Sequence, residues 1–351
     1  MRINFVCHKL SGTGGTETVL VKVINFLAGK YDVSLILPNN PPNDLWLKKI
    51  NSEVKVEILE KPSKISKTFY FFKFFFRASD DDRFVILGAN TIKFAYYVRK
   101  VLNKNYHITS WIHFSLFQQK MFDPQNVVYA DDHWAISSVI KKQLEKLGVA
   151  KERIHLIFNP IERTSLVKFD EKNTQEIRLV YIGRIMLNGQ KNLKELLDAV
   201  KKSPERIIVE FFGTGREEQQ CHDYASKIGI KDHVIWHGWS SAPWSEIQSR
   251  PAALVLSSKF EGLPMVMLEA ISRGIPTLTS RFPGYDDVCI EGINGYSYES
   301  KDLNDFVQKM ELLGETSFDP RSVANSITKF YTDNYFKNLE SIVSYGRKDN
   351  E

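Results

Sequence analysis

The run Ile177-Arg-Leu-Val-Tyr-Ile182, followed by Gly183-Arg184, gives the clearest indication of the fold of this chain. It indicates a buried strand. After a polar stretch at 162–176, it restarts the alternation of short apolar runs and helical stretches that already fills the first half. Such alternation is typical of parallel sheets covered by helices. We therefore predict an α/β protein of two facing Rossmann-like domains, with a cleft between them lined by the carboxyl ends of the strands.

Length and charge agree with two unlike halves. A chain of 351 residues exceeds what one hydrophobic core comfortably fills. Its formal net charge is +5, but residues 1–165 hold 24 basic and 15 acidic side chains, whereas the remainder holds 23 and 27. The first half is therefore expected to meet an anionic partner.

Composition excludes several classes of protein. Three scattered cysteines, without CxxC or HExxH spacing, argue against a disulfide framework and against a zinc site. The first residues read as a strand rather than a signal peptide, and no apolar run reaches the roughly 18 residues of a spanning helix. We expect a soluble cytoplasmic protein that can touch a membrane surface.

The block Glu261-Gly-Leu-Pro-Met-Val-Met-Leu-Glu269 carries the clearest signal for a binding site. Pro264 fits the first turn of a helix, which places Glu261 in the preceding loop and Glu269 about five residues inside the helix. The N–H groups of Gly262 and Leu263 and the helix dipole then form an anion site between the two carboxylates. The alternative is a solvated helix with two surface glutamates.

Two further loops suit phosphate groups. Arg184 lies at the end of the strand predicted at 177–182. Lys191 lies in a Gln-Lys-Asn run that opens the next helix. Together the two cations could neutralise a diphosphate. Gly14 and Gly15 follow the first strand and would let the backbone approach a phosphate. Glu17 stands where the dinucleotide fingerprint needs its third glycine, so a plain tight turn stays open as an alternative there.

The segment 61–77 is unusual because basic and aromatic residues alternate in it without any acid. Seven aromatic residues lie between positions 69 and 76, among the basic residues Lys64, Lys67, Lys73 and Arg77. This pattern suits a single nucleic-acid strand or a membrane interface, and a buried helix is the third possibility. We favour the membrane and expect no nucleic acid as a partner.

Taken together, these motifs resemble the family-4 retaining glycosyltransferases of GT-B fold along essentially the whole chain. Within that family, aromatic-rich blocks look like the lipopolysaccharide 1,6-galactosyltransferase group. The blocks include Trp111-Ile-His-Phe-Ser-Leu116, Val234-Ile-Trp-His-Gly-Trp239 and Ser241-Ala-Pro-Trp244.

The resemblance implies a domain plan and an activity. It implies an acceptor-binding domain at 1–165, a nucleotide-sugar-binding domain at 166–325, and a C-terminal helix at 326–351 that returns to the first domain. The implied reaction moves a hexose, galactose or glucose, from a UDP-sugar to a lipopolysaccharide core or other lipid-linked surface glycan. The implied enzyme is retaining, uses no metal or cofactor, and works peripherally at the inner face of the membrane.

The resemblance also implies roles for single residues. Glu261 would hold hydroxyls of the donor sugar and Glu269 the ribose, while Arg184 and Lys191 would neutralise the diphosphate. Gly262, Leu263, Pro264, Gly14 and Gly15 would complete the donor site. His113 would reach the transferring sugar from the opposite domain; its alternative is a core histidine with satisfied hydrogen bonds.

Two other functions stay open at this point. A sugar-nucleotide epimerase of GT-B-like fold would need its own acid and base. A non-catalytic partner subunit of a polysaccharide assembly enzyme would bind nucleotide weakly or not at all. The run Asp80-Asp-Asp82 is predicted to be a solvated loop, not a metal motif.

Overall fold

The structure is a computed structural model that describes residues 1–7, 10, 12, 15–59, 63–118, 121–167, 176–204 and 206–345. Contacts divide the chain into two compact units. Unit 1 comprises Met1–Pro160 and Asp333–Glu351, and unit 2 comprises Ile161–Thr332. The sequence-based bounds were 165 and 325; most of the polar stretch at 162–176 lies outside the described residues.

Unit 1 is built on a seven-stranded parallel sheet with the strand order β3-β2-β1-β4-β5-β6-β7. Its strands are β1 (Arg2–Val6), β2 (Asp32–Leu37), β3 (Lys55–Ile58), β4 (Arg83–Ile86), β5 (His107–Ser110), β6 (Asp132–Ala135) and β7 (Ile154–Leu156). Its first helices are α1 (Gly15–Ala28), α2 (Lys64–Phe76), α3 (Ala89–Val101) and α4 (Ser138–Lys146).

Unit 2 repeats the plan with six parallel strands in the order β10-β9-β8-β11-β12-β13. Its strands are β8 (Ile177–Ile182), β9 (Ile207–Phe212), β10 (Val234–Gly238), β11 (Ala253–Leu256), β12 (Thr277–Ser280) and β13 (Gly295–Tyr298). Its helices are α5 (Leu193–Lys202), α6 (Glu218–Lys227), α7 (Pro243–Glu246), α8 (Met265–Ser272), α9 (Leu303–Glu315) and α10 (Pro320–Asn325).

Both sheets reverse their strand order at one point, between β1 and β4 in unit 1 and between β8 and β11 in unit 2. Ligands of open α/β sheets bind beside the carboxyl ends of the strands at such a point. The predicted class, two parallel-sheet Rossmann-like domains, is confirmed.

The last helix, α11 (Thr332–Tyr345), carries the chain back into unit 1. The Phe336 ring stacks on Phe26 of α1 with centroids 4.1 Å apart, and Glu340 pairs with Lys30 at 2.5 Å. The last helix therefore belongs to the first unit, as the predicted fold class requires.

Helix α2 divides its aromatic residues between core and surface. Phe71 and Phe75 are buried, and Phe75 packs edge-on against Phe84 of β4 with centroids 5.0 Å apart. Phe69, Phe72 and Phe76 are exposed. The segment is thus partly a core helix, while a second apolar face points away from the core.

In the described parts of the chain, no helix is both long and apolar enough to cross a membrane. The Asp80–Asp82 prediction is wrong for its last residue, because Asp82 is buried and forms an ion pair with Arg2.

Candidate active site

The candidate active site lies where β8 and β11 end, beside the reversal point of the unit 2 sheet. Gly183 and Arg184 follow β8, and the loop that contains Glu261 follows β11. The loop after β9 packs against this edge so closely that a Cβ at Gly213 would lie 1.9 Å from the Gly183 carbonyl oxygen. This close approach and the φ of +140° both require glycine at position 213.

Four polar side chains form a continuous network at these strand ends. The Arg184 Nη2 group donates to Gln190 Oε1 at 3.0 Å, and Gln190 Nε2 donates to Glu261 Oε2 at 3.3 Å. Lys191 Nζ pairs with Glu261 Oε1 at 2.7 Å, where the side chains are only 13% and 10% exposed. The structure thus brings three predicted site residues, Arg184, Lys191 and Glu261, into one cluster.

Backbone contacts fix the loops that carry this network. The Lys259 N–H donates to the Gln190 carbonyl oxygen at 2.8 Å, and the Ser257 hydroxyl donates to the Lys191 carbonyl oxygen at 3.0 Å. Tyr181 of β8 donates its hydroxyl to the Arg184 carbonyl oxygen at 2.7 Å. Burial, aided by the Glu261 carboxylate, raises the pKa of Tyr181, so this hydroxyl stays a donor.

Helix α8 begins at Met265, so Pro264 is its N-cap and the expected first-turn position is wrong by one residue. Pro264 has the extended backbone of a cap, with ψ 101°. Glu269 is the fifth residue of α8, as predicted. Gly262 and Leu263 lie between Glu261 and this helix start, where the helix dipole favours an anion.

Glu269 has a different setting from Glu261. Its Oε2 atom accepts a hydrogen bond from Trp244 Nε1 at 3.0 Å. The guanidinium of Arg273 lies 5.1 Å from the centroid of the Trp244 ring and donates to the Glu269 backbone carbonyl at 2.9 Å. Burial lowers the pKa of Arg273.

Sequence reasoning left Gln190 and Trp244 out of the site. Gln190 joins two predicted residues, Arg184 and Glu261, and the sequence feature that could have pointed to it is its place in the Gln-Lys-Asn run. Trp244 orients the Glu269 carboxylate, and its signal was the Ser241–Trp244 block. Neither role could be derived from residue type, because the contacts join residues that are 71 and 25 positions apart in the chain.

The unit 1 residues of the predicted site lie near the ends of β1 and β5. Gly15 is the first residue of α1, and Gly14 lies outside the described residues. The Glu17 carboxylate accepts the Gly12 N–H at 2.6 Å, which explains an acid at the third fingerprint position. His113 follows β5, half-buried, with its ring 4.5 Å from the Trp111 ring between centroids.

The basic residues in and next to α2 differ in their contacts and exposure. Lys67 donates to the Asn39 side chain at 2.7 Å. Lys73 and Arg77 are exposed and line a cavity of unit 1. The Lys64 backbone begins α2, and its side chain lies outside what the structure describes.

Among the residues that the structure describes, no group of three or more His, Cys, Asp or Glu side chains could hold a metal ion.

Comparison with known proteins gives a consistent result. Residues 162–329 match the family described as Glycosyl transferases group 1. The chain is 32% identical to the lipopolysaccharide 1,6-galactosyltransferase of Salmonella typhimurium, over 98% of each protein.

Solved structures agree with this match. The apo form of the lipopolysaccharide outer core galactosyltransferase WaaB is similar with a TM-score of 0.88 and 32% identity, over 99% of this chain and 100% of that one. Anabaena HepE, solved in complex with UDP, is similar with a TM-score of 0.79 over 98% of this chain and 100% of that one. The identity to HepE is 14%, so that likeness concerns the fold.

Proposed function

This chain belongs to the group 1 glycosyltransferases, and from that premise we propose that it transfers a hexose, galactose or glucose, from a UDP-sugar to a lipopolysaccharide core or other lipid-linked surface glycan. The full-length match to a lipopolysaccharide 1,6-galactosyltransferase supports galactose and the lipopolysaccharide acceptor. The proposed donor rests on the chemistry of the unit 2 strand ends.

The observation that carries the proposal is the network of Arg184, Gln190, Lys191 and Glu261. Cleavage of the anomeric bond leaves extra negative charge on the departing diphosphate. Fixed cations at that position lower the barrier, because they act where the charge develops. In the proposed complex Arg184 and Lys191 bind the diphosphate and Glu261 accepts hydrogen bonds from sugar hydroxyls.

Glu269 is proposed to bind the ribose. Trp244 already orients one carboxylate oxygen, which prepares the group to accept hydrogen bonds from ribose hydroxyls. The nucleotide diphosphate would then extend from α8 towards Arg184, with the sugar at Glu261. Gly262, Leu263 and Pro264 would form the wall between the two ends.

We propose that transfer retains the anomeric configuration, with the departing phosphate taking the acceptor proton on the same face. The two glutamates are proposed as holders of hydroxyl groups and not as the acid–base pair of a hydrolase. Arg184 and Lys191 supply the positive charge that a metal supplies in other glycosyltransferases, which supports metal independence. His113 is proposed to contact the transferring sugar from unit 1, and the loop at Gly14–Gly15 is proposed to complete the donor site.

We also propose that unit 1 associates with the inner face of the membrane. The support is its excess of basic residues and two exposed cations, Lys73 of α2 and Arg77 at the C-cap of that helix. Each cation near an anionic surface adds about 1 kcal/mol of binding free energy.

The first prediction tests the reaction. The purified chain is incubated with a truncated lipopolysaccharide core and UDP-galactose or UDP-glucose, with and without excess EDTA, and the new glycosidic linkage is assigned by NMR. We expect transfer of one of the two hexoses with the α configuration of the donor retained, at an equal rate in EDTA.

Several outcomes would contradict the proposal. A β linkage would exclude retention, and a loss of rate in EDTA that Mn²⁺ restores would exclude metal independence. Isomerisation of the donor without acceptor would indicate an epimerase. Absence of nucleotide binding would indicate a non-catalytic subunit.

A further inference from the structure

Unit 2 contains a buried carboxylate, Glu195, that the proposed transfer reaction does not use. Glu195 is the third residue of α5, and only 9% of it is exposed. Within the described ranges no lysine, arginine or histidine side chain lies at ion-pair distance from it. Burying a carboxylate without a cation costs free energy, so its neutral hydrogen-bond donors must offset that cost.

Two neutral donors bind the Glu195 carboxylate, one at each oxygen. The side-chain amide of Asn192 donates to Oε2, and the backbone N–H of Lys301 donates to Oε1 at 3.0 Å. Burial, aided by this carboxylate, raises the pKa of Tyr298, which is the last residue of β13. Glu195 therefore links the loop before α5 to the loop that follows β13.

Both residues that donate to Glu195 have a backbone conformation that is rare outside glycine. Asn192 has φ +51°, and Lys301 has φ +73°. Among the described residues four non-glycine residues have a positive φ, and two of the four contact this one carboxylate. Such conformations cost free energy and persist only where surrounding contacts hold them. The hydrogen bond to Glu195 is a contact of this kind for Asn192.

Asn192 directly follows Lys191, the cation that pairs with Glu261 at 2.7 Å. Helix α5 is anchored on the other side of Asn192, because Leu193 is fully buried and its N–H donates to the Met186 carbonyl oxygen at 3.0 Å. The backbone angles at Asn192 therefore set the position of Lys191 relative to the fixed helix.

A simpler role for Glu195 would be to cap α5. A glutamate at the third position of a helix commonly accepts the N–H of the N-cap residue, and the helix dipole favours an acid there. In this chain the carboxylate instead accepts the side-chain amide of Asn192 and an N–H from a distant loop. Within the described part of unit 2 the Asn192 side chain also makes no cap hydrogen bond. These contacts fix the loop at Asn192 rather than the first N–H groups of α5.

We propose that Glu195 is a positioning residue of the transfer reaction. It holds Asn192 in the left-handed conformation and thereby keeps Lys191 where the diphosphate of the donor binds. The inference rests on the proposed function, because it takes Lys191 as a ligand of the diphosphate. It does not depend on which sugar is transferred or on the acceptor.

The experiment compares the affinities for UDP and for uridine, which lacks the diphosphate, by NMR titration. Glu195→Gln keeps the size of the side chain but turns an NH₂ group towards one of the two donors, so one contact is lost. We expect this variant to bind UDP about tenfold more weakly and uridine within about twofold of the unchanged chain. Turnover under saturating donor should fall about 10- to 100-fold, because a displaced cation stabilises the departing diphosphate less well.

Glu210→Gln is the matched control. Glu210 is also 9% exposed, but it lies on β9 and pairs with Arg178 and His237. Its thermal stability should fall, whereas its turnover and its ratio of UDP to uridine affinity should stay within about twofold of the unchanged chain. A fall in that ratio as large as in Glu195→Gln would overturn the inference, since the loss of any buried carboxylate would then suffice.

Further variants test the route through Asn192 and Lys191. Asn192→Ala, which leaves Glu195 in place, should lower the affinity ratio as Glu195→Gln does, because alanine has neither the amide nor the freedom of glycine at positive φ. Glu195→Gln should have no further effect on the ratio in the Lys191→Met background, where the cation that it positions is gone. It should also have little further effect in the Asn192→Gly background, because glycine adopts positive φ without a side-chain contact. Thermal unfolding confirms that each variant is folded.

An unchanged affinity ratio in both Glu195→Gln and Asn192→Ala would overturn the inference and leave the proposed function standing, because Glu195 would then only stabilise the fold. Additive losses of Glu195→Gln and Lys191→Met would overturn it as well, since Glu195 would not act through Lys191. Failure of the unchanged chain to bind UDP would overturn the proposed function together with the inference.

Discussion

The two glutamates of the candidate active site lie in contrasting surroundings. Glu261 sits on a loop and contacts a cation and an amide, Lys191 and Gln190, that come from another loop. Glu269 sits on a helix, where its carboxylate accepts from the indole of Trp244. Among the described residues no cation forms an ion pair with Glu269.

The difference indicates how each end of the site would receive a ligand. At Glu261 the ion pair with Lys191 already neutralises the charge. In the proposed complex an arriving sugar diphosphate would therefore exchange partners: the diphosphate would bind Lys191, and sugar hydroxyls would bind the carboxylate. At Glu269 a neutral donor fixes the carboxylate and leaves its charge available for two hydroxyl groups. Because these groups are already held on ordered loops, the exchange costs little conformational entropy.

The largest expected effect comes from removing the ion pair between Lys191 and Glu261. Lys191→Met removes a cation from the proposed diphosphate site and leaves Glu261, whose side chain is only 10% exposed, without its ion-pair partner. Loss of a fixed group that stabilises developing charge costs about 100- to 1,000-fold in turnover. We expect a decrease of that order in the rate of transfer under saturating donor.

The matched control is Lys194→Met, four residues from Asp198 on α5 and in an exposed ion pair with it at 2.6 Å. Exposed pairs contribute about 0–1 kcal/mol, so activity and stability should change little. If both lysine variants lose activity equally, the effect of Lys191 is one of folding and not of the site.

The third prediction separates the two glutamates. A hydrogen bond to a charged group is worth about 1.5–3 kcal/mol, so losing one costs roughly 10- to 150-fold. Glu269→Gln should weaken UDP and UDP-sugar alike, because both carry the ribose. Glu261→Gln should leave UDP affinity nearly intact and lower transfer, because its partner is the sugar.

Titration calorimetry with UDP and with donor, followed by turnover measurements, decides between the assignments. Loss of UDP affinity in Glu261→Gln together with unchanged affinity in Glu269→Gln would show that the two ends of the site are reversed.

The sequence predicts those features of the site that involve residues close together in the chain, and it does not predict contacts between residues far apart in the chain. The strand that ends at Ile182 and the position of Glu269 inside α8 follow from local periodicity and spacing. The contact between Gln190 and Glu261 does not, because it requires that β8 and β11, about 70 residues apart, become neighbours in the sheet. Sequence reasoning therefore named the charged residues but not the amide that joins them.

The same limit explains the error at Asp82 and the uncertainty over α2. Asp82 was assigned to a solvated loop because its partner Arg2 is 80 residues away in the chain and becomes its neighbour only when β1 pairs with β4. The sequence shows that α2 carries the aromatic run at 69–76. Which of them face the core depended on how the helix packs on Phe84, which only the folded structure shows.

The smallest expected effect concerns Glu269, whose carboxylate accepts a hydrogen bond from the neutral indole of Trp244. Trp244→Phe removes the N–H that orients Glu269 but keeps an aromatic ring for Arg273 to stack on. One hydrogen bond contributes about 0.5–1.5 kcal/mol, so affinity for UDP should fall roughly two- to tenfold. Trp239→Phe is the matched control, since Trp239 is exposed in the same segment, and this variant should bind UDP normally.

In the Glu269→Gln background Trp244→Phe should have no further effect, because Trp244 acts through the carboxylate of Glu269. Additive losses in the double variant would show that Trp244 contacts the nucleotide by itself, and the two ends of the site would then differ less than their surroundings suggest.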